Sequence, residues 1–126
     1  MMKMKHYKVV VFGSRNFDDY EYLKEVLVQQ FKYKHLEPSD VTIVEGGARG
    51  ADALAEFFAK EHGGVAHKQF PADWDKHGKS AGHIRNSEMA KYCDFGIAFW
   101  DGESKGTRSM IEKLERLDKE VLIVYV

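Results

Sequence analysis

The chain has 126 residues, a single cysteine and a formal charge of −1, from 19 basic against 20 acidic side chains. That length suits one domain, spanning residues 1–126, with a core of its own. Cys93 alone excludes an internal disulfide, and the balanced charge argues against broad, sequence-independent binding of nucleic acid.

The leader Met1-Met2-Lys3-Met4-Lys5-His6 is basic, but the apolar run after it is short and ends at Gly13. It fits neither a signal peptide nor a membrane span, so the expected setting is a reducing cytoplasm with no membrane partner. Val9-Val10-Val11-Phe12 reads as a buried first strand. From Asp19 to about Tyr33, Leu23, Val26, Leu27 and Phe31 recur at helical spacing, with Asp18 or Asp19 as the cap. Pro38-Ser39-Asp40 breaks the chain before a second strand, Val41-Thr42-Ile43-Val44. Gly46-Gly47-Ala48-Arg49-Gly50 then turns into a helix bearing Leu54, Phe57 and Phe58, which Gly63-Gly64 stops.

Val65 to Phe70 is a weaker, more polar third strand, expected near an edge. Pro71 to Gly82 reads as the longest irregular stretch, ahead of a short helix from about His83 to Tyr92. Phe95 to Trp100 is the fourth strand and Asp101 to Gly106 its exit loop. A last helix carries Met110, Ile111, Leu114 and Leu117, and Val121 to Val126 closes the series. Cys93, just before an apolar run, reads as a small buried side chain, with no neighbour in sequence to make it a reactive thiol.

Strands alternating with helices imply a three-layer α/β domain of Rossmann-like build, a mainly parallel five-stranded sheet covered on both faces. Right-handed crossovers favour the order 3-2-1-4-5, with 2-1-3-4-5 as the alternative. In the favoured order the chain reverses between strands 1 and 4, where a crevice opens.

The glycines and small residues gather at strand-to-helix junctions: Gly13-Ser14-Arg15, Gly46 to Gly50, and Gly102 to Thr107. A parallel sheet brings these junctions to one edge, each at a helix N-terminus whose free N–H groups suit an anion. The loops therefore predict a pocket for a phosphate-bearing nucleotide or nucleotide-derived ligand. Arg15 and Arg49, with Arg85 and Asn86 at the opening of the third helix, supply charge and polar contacts. Ser14, Ser104 and Thr107 add hydroxyls, although Thr107 equally suits a helix cap. Asp52 stands in the first turn of the second helix, where it can hold Arg49, bond ribose hydroxyls or complement the dipole. Trp74 suits either a stacking platform for a base or an apolar plug over the sheet edge.

Other chemistries lack their patterns. His62, His67, His77 and His83 do not form a His-Glu-x-x-His arrangement, so no metal is expected. There is no Gly-x-Ser-x-Gly elbow and no Gly-Lys-Ser/Thr phosphate loop. If a bond in the ligand is cleaved, the carboxylates available are Asp52, Glu45 and Asp101.

Gly13-Ser14-Arg15 with Phe17 and Asp18, followed by Gly46-Gly47-Ala48-Arg49-Gly50-Ala51-Asp52, resembles the SLOG superfamily, which includes the DprA/SMF DNA-processing proteins and the LOG nucleotide phosphoribohydrolases. Ala72-Asp73-Trp74, Ala81-Gly82-His83-Ile84-Arg85-Asn86-Ser87-Glu88-Met89 and Asp101 to Thr107 are similar to its small single-domain YspA-like (YpsA-related) branch, a bacterial and phage type. The resemblance runs from about Val9 to Ile111. It implies a Rossmann-like domain for nucleotides or their derivatives, of NAD, ADP-ribose or nucleoside phosphate type, acting as a sensor or as a component of a larger system. LOG enzymes carry Pro-Gly-Gly-x-Gly-Thr-x-x-Glu at the last loop, with the glutamate catalytic. Here Gly106-Thr107 aligns with that Gly-Thr and puts Met110, which moves no protons, at the glutamate position. Three expectations follow: a ligand-binding domain, a hydrolase cleaving an N-glycosidic or phosphoester bond, or a DprA-like binder of single-stranded DNA. A homodimer is a further expectation.

Overall fold

The computed structural model describes residues 5–126; the first part of the basic leader, residues 1–4, lies outside the described residues. A five-stranded sheet in the order β3-β2-β1-β4-β5 forms the middle layer. Its strands are β1 (Tyr7–Gly13), β2 (Val41–Glu45), β3 (Ala66–Gln69), β4 (Phe95–Trp100) and β5 (Val121–Tyr125), all paired in parallel. The favoured order holds and the alternative does not: β1 pairs with β2 on one side (Val9 opposite Ile43) and with β4 on the other (Val11 opposite Ile97).

The alternation of a strand's side chains decides which helices cover which face. Val9 and Val11 of β1, with Ile43, Ile97 and Phe99, pack beneath α1 (Tyr20–Tyr33) and α2 (Ala51–Glu61). Val10 and Phe12, with Val44 and Ala98, pack beneath α4 (Ala81–Tyr92) and α5 (Lys105–Arg116). Because β1 is buried on both faces it reads as an unbroken apolar run. On β4 the second face is small: a Cβ at Gly96 would come within 2.7 Å of Leu114, so glycine lets α5 settle onto the sheet. Helix α1 buries Leu23, Leu27 and Phe31 at intervals of four, and Asp19 caps it by accepting from the Tyr22 N–H at 3.1 Å.

β3 lies at an edge and is largely exposed, in keeping with its polar sequence. The stretch Pro71–Gly82 corrects the sequence reading. It is not irregular: Trp74–His77 forms a one-turn helix α3, Gly78–Ser80 a 3-10 turn, and α4 begins at Ala81 rather than at His83. Asp73 starts the first of these by accepting from the Lys76 N–H at 3.1 Å, and Pro71 and Gly78 mask the pattern because they punctuate turns this short. No helix among the described residues is long and apolar enough to cross a membrane.

Cys93 is buried, and burial pushes its thiol up to about 11, Lys119 only partly opposing this; it is a packing residue. At the same corner the Lys119 ammonium donates to the carbonyls of Ala90 (2.7 Å), Lys91 (3.0 Å) and Cys93 (2.6 Å), which closes the C-terminus of α4.

Candidate functional site

The β1–α1, β2–α2 and β4–α5 junctions meet at the C-terminal edge of the sheet, where β1 separates the two directions of winding. Two of these loops touch directly. Gly50 precedes α2 with φ +78, and a Cβ there would overlap the Ser14 carbonyl oxygen and lie 2.8 Å from the Arg15 Cα. Only glycine permits that approach. Ser14 is buried and its hydroxyl accepts from the Asp101 N–H at 3.1 Å, binding the first loop to the last.

Between the loops lies a cleft with an inner and an outer part, both lined by Arg15, Ala48 and Arg85. The inner recess, about 90 Å³, has Phe12, Met89 and Met110 as its floor and Asp52, Asn86, Ser104 and Thr107 on its walls, beside Gly13 and Gly106. The outer part, about 340 Å³, is bounded by Gly46, Gly47, Arg49, Gln69, Pro71, Ala72 and Trp74. Of the residues singled out from sequence, Gly50 and Ser14 shape the cleft from behind, and Asp101 and Gly102 lie outside its lining.

Arg85, half-buried, stands where the two parts meet and donates to the Gly46 carbonyl, while its Nε donates to Asn86 Oδ1 at 2.8 Å. Arg15 and Arg49 are exposed. Trp74 is 56% exposed, which sets aside the plug and leaves its ring at the cleft rim. Met110 is buried in the floor, so the position aligned with the LOG glutamate does face the recess but carries a thioether.

The carboxylates part company. Asp52 is 5% exposed and accepts from the Gly46 N–H at 2.8 Å. Burial pushes it up to about 6, against the pull of the Gly46 N–H and of Arg85, so its charge partner is Arg85 rather than Arg49. Glu45 is fully buried and absent from the cleft lining: one oxygen accepts from the Gly47 N–H at 2.6 Å, the other from His67 and Gln69 at 2.8 and 2.9 Å. Asp101 is exposed and held below the usual carboxylate range by the Ser104 and Glu103 N–H groups, each at 2.8 Å. Glu45 and Asp101 thus fasten loops: both Glu45 oxygens are bonded away from the cleft, and Asp101, outside the cleft lining, holds its own loop through Oδ1.

The same bonds correct a second expectation. The Gly46 and Gly47 N–H groups serve Asp52 and Glu45, so the glycine loop does not offer them to an anion. Nor does Thr107 cap α5: Ser104 does, accepting from the Thr107 N–H at 3.4 Å, and the two hydroxyls lie 3.1 Å apart. Anion-binding capacity is left to the three arginines and to the first turns of α2 and α5. Phe12, Met89 and Gln69 were missed by sequence reasoning. Gln69 ends β3, and strand ends at this edge are the signal that would have found it.

Residues 7–77 match the family described as YAcAr: YspA, cpYpsA-related SLOG family. The Gene 61 protein of Mycobacterium phage D29 is 35% identical over 114 residues, covering 86% of this chain and 89% of the relative. Among solved structures, DNA processing protein A (DprA) from Streptococcus pneumoniae superimposes with a TM-score of 0.72 at 19% identity, over 94% of this chain. DNA processing protein A from Helicobacter pylori, whose structure is described for its single-stranded DNA binding mode, gives 0.65 at 17%, also over 94%. This chain spans 50% and 65% of those two, so the likeness shows the fold they share. The length of the family match and the identity to the phage relative settle the assignment: the chain belongs to the YspA, cpYpsA-related SLOG family.

Proposed function

We propose that this protein binds a phosphate-bearing nucleotide or nucleotide derivative in the cleft at the β1/β4 switch point. The observation that carries the reading is the convergence of Arg15, Arg49 and Arg85 on a cleft with an exposed tryptophan at its rim. The phosphate lies against the guanidinium groups of Arg15 and Arg85, where both parts of the cleft meet, and the first turn of α2 faces it. A base stacks on Trp74, a kind of contact worth about 1–3 kcal/mol. The inner recess, with the Asn86, Ser104 and Thr107 side chains, accepts a small hydroxyl-bearing group. Asp52 is the one candidate carboxylate in that recess, and its displacement toward neutral pH suits it to move a proton if the ligand is cleaved.

A second reading is favoured by a specific observation. The fold is that of DNA processing protein A, and the Helicobacter pylori structure is described for single-stranded DNA binding. That finding weighs against the exclusion of nucleic acid drawn from the balanced charge. Arginines beside an exposed aromatic ring also suit a single strand.

Melting temperature, followed with AMP, ADP-ribose, NAD and a short single-stranded oligonucleotide, separates these readings, since a ligand of the folded state raises it. A shift with a mononucleotide or dinucleotide that Arg15→Ala and Trp74→Ala both reduce is the expected result. Product formation alongside the shift assigns a hydrolase, with Asp52→Asn as the next variant. A response to the oligonucleotide alone, weakening as salt rises, replaces the first reading with the second. No shift with any of these sinks both.

A further inference from the structure

The sequence carries no metal-ligand pattern, yet the fold assembles one kind of donor set away from the cleft. Glu45 at the end of β2, His67 on β3 and Glu56 on α2 each offer a ligand atom, and these atoms lie within 4.8 Å of one another. Parallel pairing puts Glu45 opposite Gln69, with His67 on the same face of the sheet. Glu56 follows Asp52 by one helical turn, so α2 lowers it onto that face. We propose that Glu45, Glu56 and His67 bind one divalent transition-metal cation of the zinc class at this edge of the sheet.

The chemistry of the set supports the assignment. One imidazole and two carboxylates suit zinc and its first-row neighbours, whereas calcium and magnesium take oxygen donors. Glu45 is fully buried, and its side-chain partners are Gln69 and His67; among the described residues no lysine or arginine forms an ion pair with it. Both Glu45 oxygens already accept hydrogen bonds, from Gly47, Gln69 and His67, and a divalent cation adds the full compensating charge that a buried carboxylate favours. His67 Nε2 and Glu45 Oε2 share a hydrogen bond at 2.8 Å, and a cation takes the place of its proton, since a ligating imidazole nitrogen must be deprotonated. Glu56 must turn inward to bring all three atoms to metal–ligand distances of about 2.0–2.2 Å. Its present partner, Lys60 at 3.2 Å, is largely exposed and holds it weakly. Glu56 and His67 are partly exposed, so a cation enters from the edge and keeps a water ligand. The second oxygen of Glu45 accepts from the Gly47 N–H, so the cation also braces the loop that lines the outer cleft.

The test uses the full chain, stripped with a chelator and titrated with Co²⁺, then with Zn²⁺ as competitor. The expected result is one equivalent of Co²⁺ with visible d–d absorption, displaced by Zn²⁺, and a rise in melting temperature with Zn²⁺ but not with Mg²⁺. Glu56→Gln and His67→Ala weaken binding at least about tenfold, while His83→Ala, outside the set, leaves it unchanged. Both altered positions are partly exposed, and circular dichroism checks each fold. Absence of a saturating cobalt spectrum overturns the proposal, as does binding that survives both variants or disappears with His83→Ala. Nucleotide binding is read separately, so neither outcome depends on the ligand of the cleft.

Discussion

The Asp101 backbone N–H donates to the Ser14 hydroxyl at 3.1 Å, joining the loops that follow β1 and β4 across the point where the winding reverses. Ser14 is buried and its own N–H donates to the Phe99 carbonyl at 2.9 Å, so it is held from two sides. Replacing it with alanine keeps the backbone bond but leaves the Asp101 N–H without its partner. Ser14→Ala should cost about 1–3 kcal/mol. Urea denaturation measures this; a change below a few tenths would mean that water replaces the hydroxyl at no cost.

Gly50 and Gly106 make opposite predictions although both belong to the glycine-rich loops. Gly50→Ala forces a Cβ into the Ser14 carbonyl at a left-handed φ, so it should destabilise by more than about 2 kcal/mol and distort the cleft. Gly106 lies within α5 with open space around its Cα. Gly106→Ala should leave stability unchanged or raise it by up to about 1 kcal/mol, while its place in the recess lining should weaken binding of the cleft ligand. Thermal melts of the two variants side by side would reveal either ranking.

How far the site was legible in the sequence follows from these contacts. The switch-point cleft could be placed because alternating strands and helices imply a parallel sheet, right-handed crossovers favour its order, and glycines cluster where β1, β2 and β4 end. What hid was the destination of each hydrogen bond. Glu45 and Asp52 flank the Gly46–Gly50 loop in sequence, but the pleat sends Glu45 under α2 toward His67, while Asp52 faces Arg85 across the recess. Short helices punctuated by proline and glycine, as at Trp74–His77, have too few residues to show a period. The gathering of Glu45, Glu56 and His67 depends on strand pairing and helix placement together, which no local spacing reports.

Asp52 predicts a particular pH dependence. Burial raises its folded value to about 6, above that of an unfolded aspartate, so the folded state holds the proton more tightly. Its contribution to stability is fully present below about pH 4 and is lost as pH rises through about 6. The loss corresponds to roughly 3 kcal/mol at most. Asp52→Asn keeps an acceptor for the Gly46 N–H and removes the titration. The variant should therefore gain stability relative to the parent between about pH 4 and pH 7, read from urea denaturation across that range. A constant difference at every pH would show that Asp52 titrates as it does in the unfolded chain.

Lys119 tests whether the far corner of the sheet is held by a side chain rather than by the helix itself. Its ammonium meets three carbonyls at the end of α4, of Ala90, Lys91 and Cys93, where the helix dipole leaves partial negative charge. Met at this position keeps the length and apolar stem but removes every donor. Lys119→Met should cost about 1–2 kcal/mol, and amide hydrogen exchange should rise first in the last turn of α4, from Met89 to Cys93. The middle of α4 carries Arg85 and Asn86 into the cleft, and Met89 of its last turn lies in the recess floor. If Arg85 and Asn86 exchange faster as well, α4 opens as a unit and ligand affinity should fall with stability; if only the last turn responds, the polar side of the cleft is insulated from that corner and only the Met89 part of its floor is reached.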